Sequence, residues 1–239
     1  MKFRILSMIL VLMTAGSALA GTPDSVLLHN GADRFQKAVL RPDGGALMVG
    51  AEPEDYTADG LALPTQAWAV FMESGTYQER WRRVYGGSGD DALWDAAPLP
   101  EGGFIAVGEA SSPDGGVIGW HEGYYDDFQN KCDGWLARLD GKGDMVWNLC
   151  LGGSQWDRFS AVRARGDGTF LAVGSTSSPD GDLEGLYADP VGNEHSDAWI
   201  VCFTADGDVL WQRVFGQSTM SDSLSDIQPM EGGNYLLAG

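Results

Sequence analysis

Residues 152–215 read GGSQWDRF from Gly152, DGTFLAVGSTSSPDGD from Asp167 and DAWIVCFTADGDVLWQRVF from Asp197. The same text stands one unit earlier, as GGSGDDAL from Gly86, EGGFIAVGEASSPDGG from Glu101 and DGWLARLDGKGDMVWNL from Asp133. Trp81, Trp147 and Trp211 are equivalent, with spacings of 66 and 64 residues. A period of that length holding four short apolar segments describes one four-stranded blade of an all-β propeller.

Each unit parses into strands a to d. In the clearest unit strand a is 159–164, the Gly166-Asp167-Gly168 turn follows, and strand b is 170–173. A long loop leads to strand c at 198–203, and a Gly- and Asp-rich turn at 204–208 leads to strand d at 209–215. Strands b and c are apolar throughout, as strands buried on both faces are. Strand d mixes Gln212 and Arg213 with apolar residues, which suits an outer edge protected by polar groups. The blades fall at about 31–85, 86–151 and 152–215, with a partial blade at 216–239 and a lone d-like strand at 26–29. The count is therefore d, abcd, abcd, abcd, ab. It predicts a ring that is incomplete within these residues, since the last blade offers no strand c for the first strand to close on.

Residues 1–20 have the form of a secretory signal. Lys2 and Arg4 precede an apolar core, and Ala18-Leu19-Ala20 supplies the small-residue cleavage site. The apolar run is much shorter than the roughly 20 residues of a membrane span. The mature chain is thus expected to begin at Gly21 and to be secreted, periplasmic or at the cell surface. Losing Lys2 and Arg4 takes the formal charge from −19 to −21, which disfavours nucleic acid and anionic lipid as partners. Gly falls at turn positions rather than in one tract, as in a turn-rich β fold.

The text resembles a family of bacterial secreted β-propeller repeats. The resemblance rests on Gly152-Gly153-Ser154 with Asp157, Glu101-Gly102-Gly103-Phe104, Ser178 with Asp180-Gly181-Asp182, and Asp133-Gly134-Trp135 through Trp147. It covers nearly all of the mature chain. It implies the fold and is nearly silent on function, because such repeats occur in large surface proteins mostly without assigned activity. The hairpins ending in Trp147 and Trp211 are also similar to the tryptophan-docking hairpin of quinoprotein propellers. That likeness implies that Trp81, Trp147 and Trp211 lock adjacent blades, since a large aromatic fills the wedge between twisted sheets. It does not carry the quinoprotein activity with it, which needs a larger ring and a dedicated cofactor pocket.

No catalytic motif is complete. His121-Glu122 opens like a zinc-protease helix, but Tyr125 replaces the second His. Gly86-Gly87-Ser88-Gly89-Asp90 puts Asp where a nucleophile elbow requires Gly. Ser112-Pro113-Asp114-Gly115-Gly116 with Trp120 nearly spells the Asp-box of sialidases, but it lies in the b–c loop with one residue too many. A Ser–His–Asp set would have to be assembled across blades from His29, His121 or His195. The best ion-binding candidate is Asp180, Asp182 and Glu184, with oxygen ligands at alternate positions and Gly185 at the sixth, as in the first half of a calcium loop. Val191 stands where that loop needs Glu, and the same residues also read as a solvated acidic turn. Calcium is the one cofactor these residues point to.

The long b–c loops, 109–132 and 175–196, are the functional candidates. They hold Trp120, His121, Tyr124, Tyr125 and Tyr187, which suit a protein or glycan contact or fold back to cap the blades. The chain is accordingly read as a non-catalytic binding or scaffolding module. A carboxylate-dependent glycoside hydrolase or lyase is the alternative. Finally, the exported compartment permits a disulfide between Cys132, just before strand c, and Cys150, near the end of strand d. If Asp140 opposes Gly143 the two miss direct opposition by one residue, which a bulge would correct.

Overall fold

The computed structural model describes residues 34–53, 63–76, 78–122, 131–186, 195–216 and 220–239. The leader expected over 1–20 with its cleavage at Ala20, the strand expected at 26–29, and Tyr124, Tyr125 and Tyr187 lie outside them. The described chain is all-β, apart from two 3-10 turns, at Gly181–Leu183 and Glu231–Gly233.

Three four-stranded antiparallel sheets follow one another along the chain, each in strict sequence order. Sheet I is β1 (Arg34–Leu40), β2 (Ala46–Pro53), β3 (Thr65–Met72) and β4 (Glu79–Tyr85). Sheet II is β5 (Asp91–Pro98), β6 (Phe104–Ala110), β7 (Asp133–Leu139) and β8 (Met145–Leu151). Sheet III is β9 (Asp157–Ala164), β10 (Thr169–Thr176), β11 (Asp197–Thr204) and β12 (Val209–Phe215). A two-stranded sheet, β13 (Asp226–Pro229) with β14 (Tyr235–Ala238), ends the described chain.

The sheets pack face to face, and this is why their middle strands are apolar throughout. Leu47, Phe71, Trp81, Phe104 and Trp135 fill the space between sheets I and II. Ile105, Leu136, Phe159, Phe170 and Trp199 fill that between II and III, where the Phe159 and Trp199 rings stack at 4.5 Å. Ile227, on β13, is fully buried against Ala161, Val173 and Ile200 of sheet III. The first strands of successive units also touch, β1 with β5, β5 with β9 and β9 with β13.

The first strand of each full unit carries a register shift at the same level, at Phe35/Lys37, Leu93/Asp95 and Phe159/Ala161. The second strand places a Gly there. A Cβ on Gly108 would lie 1.9 Å from Ala92 O, and one on Gly174 the same distance from Arg158 O. Only glycine lets the bulged strand approach so closely. The bulge in sheet II also turns Asp95 into the interior, where Arg163 Nη1 reaches it at 2.5 Å. Arg163 Nη2 meets Asp226 at 2.8 Å, so one guanidinium links the first strands of three successive units.

The Cys132–Cys150 bond expected from the sequence is not formed: both residues, and Cys202, are buried free thiols. The β7–β8 turn is longer than expected, with Asp140 N–H donating to Asp144 O (2.9 Å), and the ladder skips Val146. Cys150 therefore pairs with Trp135, and Cys132 would fall level with Gly153, three residues away. The Cys132 thiol instead points at Asp157 O, 3.3 Å off.

Candidate functional site

The loops between second and third strands lie against the loops that join one sheet to the next, and the repeated residues make the contact. The carboxylate of Asp157 is 1% exposed. It accepts hydrogen bonds from Gly153 N–H (2.9 Å), the Ser178 hydroxyl (2.7 Å) and the Thr176 hydroxyl (2.5 Å). Ser178 Oγ in turn accepts from Gln155 N–H at 2.8 Å, and Asp180 Oδ1 accepts from Ser154 N–H at 2.7 Å. One unit earlier the pattern recurs, with the Ser111 amide in place of the Thr176 hydroxyl because Ala110 stands there. Asp91 accepts from Gly87 N–H, Ser111 N–H and the Ser112 hydroxyl. Ser112 Oγ accepts from Gly89 N–H at 2.9 Å, and Asp114 Oδ1 accepts from Ser88 N–H at 2.7 Å. The GGS and SSPDG texts are therefore two halves of one loop-to-loop clamp. Burial pushes the Asp157 carboxyl up to about 7, against the pull of its hydroxyl and amide donors, and raises Asp91 for the same reason.

A second polar chain ties sheet II to the loop of sheet III. His121 N–H donates to Asp133 Oδ2 (2.6 Å), and its Nδ1 lies 3.0 Å from the same oxygen. Its Nε2 lies 3.6 Å from Asp182 Oδ2, which also accepts from Gly152 N–H at 3.2 Å. Asp133 opens β7 and is buried, and that burial lifts its carboxyl to about 6. Both imidazole nitrogens thus face carboxylate oxygens, and the ring bridges two loops. Trp120, next in sequence, packs half-buried against the core between sheets I and II. Of the expected contact residues, then, Trp120 and His121 are built into the frame. Neither lies free on the loop surface.

The three expected calcium ligands do not converge. Asp180 holds Ser154, Asp182 faces His121 and Gly152, and Glu184 is exposed after the 3-10 turn. Among the described residues no group of three His, Cys, Asp or Glu side chains comes together as a metal site. Gly181 and Leu183 bend the chain so that the alternate side chains serve different neighbours.

The equivalent tryptophans differ. Trp81 Nε1–H donates to Gly141 O (3.1 Å), and Trp147 Nε1–H donates to Ala205 O (3.0 Å), each in the third-to-fourth-strand turn of the following sheet. Trp81 lies so close over Gly143, at φ +81°, that a Cβ there would meet the indole at 2.7 Å. Arg83 with Asp144 and Arg138 with Asp206 add ion pairs to the same two turns. Trp211 is 42% exposed.

Sequence reasoning missed the chain from Asp133 through His121 to Asp182, and also Glu109. Glu109 is raised by burial beside the Cys132 thiol, 3.9 Å away. Its signal was present: Glu109 stands where the other units have Ala51 and Ser175. Between sheets I and II a cavity of about 380 Å³ is lined by Gln66, Tyr85, Val117, Trp135 and Asn148 among others. Trp135 Nε1–H and Ile118 N–H already occupy Asn148 Oδ1.

No protein-family model matches the chain. A search of curated proteins finds the regulatory protein FlaEY of Caulobacter vibrioides, 27% identical over 242 residues. The match takes in 95% of this chain and 24% of that protein, so the chain spans about a quarter of the length of the relative it resembles. No helix among the described residues is long and apolar enough to cross a membrane.

Proposed function

We propose that this chain is a run of β-propeller blades, exported by its leader, that acts as a binding or scaffolding module for a protein or a glycan. The propeller reading is supported by the sequence-ordered sheets and by the contact of each first strand with the next. The observation that carries the functional reading is the use made of the repeated polar residues. Asp91, Asp157, Ser112, Ser178 and Asp180 all spend their hydrogen bonds on neighbouring loops. What the repeat leaves unspecified is the content of the two long loops. Tyr124, Tyr125 and Tyr187 belong to that variable part and are the proposed contact residues. The match to a protein named as regulatory agrees with recognition as the task.

The test is a glycan array probed with the exported chain, run beside a reducing-end assay on the glycans retained. Saturable retention without new reducing or unsaturated ends is expected, and Tyr124→Ala weakens it. Release of such ends would overturn the binding reading in favour of a hydrolase or lyase.

A further inference from the structure

The interface between sheets I and II and that between II and III are built on one plan, so their residues can be compared one by one. Trp135 Nε1–H donates to Asn148 Oδ1 at 3.2 Å, and Trp199 Nε1–H donates to Gln212 Oε1 at 3.1 Å. Asn148 Nδ2–H donates to Gly116 O, and Gln212 Nε2–H donates to Asp182 O. Gln66 and Asp133 hold the same place on β3 and β7, two residues before Trp68 and Trp135, which pair with Gly50 and Gly108. The two interfaces differ at one spot. Between II and III, the His121 ring fills the space between Asp133 and Asp182. Between I and II, Gln66 replaces Asp133 and Gly116 replaces Asp182, and both line the cavity of about 380 Å³. A Cβ on Gly116 would meet nothing within 4 Å.

The lining states what this space can hold. Among the described residues no charged side chain lines it, although the chain carries a formal charge of −19. An ion there would be left without a counter-charge, at high cost. Gln66 is 4% exposed, and its Nε2 donates to Gly87 O at 2.8 Å and to Thr65 O at 3.2 Å. Its Oε1 lies over Gly86, where a Cβ would come within 2.9 Å of it, and accepts no bond from a described residue. A buried, neutral acceptor set among Tyr85, Trp135 and two valines suits a ligand with hydroxyls on an apolar ring. We propose that this cavity binds one neutral sugar unit. A ring hydroxyl donates to Gln66 Oε1, and the ring lies between Val84 of sheet I and Val117 of the sheet II loop. This rests on the recognition reading, names its ligand class, and uses none of the tyrosines proposed above.

Saturation-transfer NMR tests it, with the full chain titrated with glucose, galactose, mannose and N-acetylglucosamine in turn, and with glucuronate and glucosamine as charged counterparts. Saturable binding of at least one neutral sugar is expected. The dissociation constant should rise about tenfold or more in Val84→Trp and in Val117→Trp, which fill the cavity from its two walls, and stay unchanged in Val84→Ala. Val84 is 49% exposed, so the larger side chain enters at the mouth, and an unchanged melting temperature checks that the fold is kept. Binding of none of the four neutral sugars overturns the proposal. So does binding that both Trp variants leave unchanged, or equal binding of the charged counterparts. Array retention that Tyr124→Ala weakens and Val84→Trp does not, with no free sugar bound, keeps the recognition reading and overturns this site.

Discussion

Asp91 and Asp157 hold together loops that are distant in sequence, and each does so from a buried position with three donors aimed at it. Asp157→Ala strands the Gly153 amide and the Ser178 and Thr176 hydroxyls away from water. The expected cost is about 2–4 kcal/mol, since each buried group left unpaired costs about 1–3 kcal/mol and the loops relax in part. Urea denaturation measures it. Asp114→Ala, at an exposed site with one amide to hold, is expected to cost under about 1 kcal/mol. At the same scale, thiol titration of the folded chain should find no reactive cysteine. Burial raises the Cys132 and Cys150 thiols above their ordinary range, and the thiolate is the reactive form. In denaturant all three should react; a count of one would restore the Cys132–Cys150 bond. The Asp residues were visible in the sequence as a recurring letter. Their burial was not, because a carboxylate in a Gly-rich turn reads as solvated until its three donors are placed around it.

Elements were more legible than residues. The second strands read as apolar runs because both faces are packed, and β12 has the bounds, 209–215, that the turn before it predicts. What the sequence hid was register. The skipped Val146 and the longer turn at Asp140–Asp144 shift β7 against β8, and with that shift the disulfide geometry is lost. Trp120 and His121 were hidden for a related reason: a loop aromatic and a loop histidine look alike whether they face a ligand or a neighbouring loop. Trp120→Ala is therefore expected to lower stability by about 2–4 kcal/mol, as removal of a packed aromatic does. An unchanged melting temperature would return Trp120 to the surface. Between elements, Arg163 is the residue to remove. Arg163→Ala leaves buried Asp95 without its guanidinium, which is expected to cost about 3–5 kcal/mol by chemical denaturation. The Arg163→Ala, Asp95→Ala double variant should recover part of that loss.

Over the whole molecule, charge and burial act in the same direction. The chain carries a formal charge of −19, and the buried carboxyls of Asp133 and Asp157 are raised to about 6 and about 7, from an ordinary value near ~3.9. The folded state therefore keeps protons that the unfolded chain has released. Their contribution is full below about pH 4, is lost as pH rises through about 6 and 7, and is flat above. Calorimetry should find a lower melting temperature at pH 8 than at pH 5, with a smaller difference in Asp157→Asn; a rise toward pH 8 would contradict the burial of these groups. The wider account is that the repeated text builds contacts between successive units. Calorimetry of Trp81→Ala, Trp147→Ala and Trp211→Ala tests it most directly. The first two should each lose about 2–4 kcal/mol, a fall of roughly 5–12 °C for a chain of this size, while Trp211→Ala should shift the melting temperature by less than about 3 °C. Equal losses at all three positions, or no loss at Trp147, would contradict it.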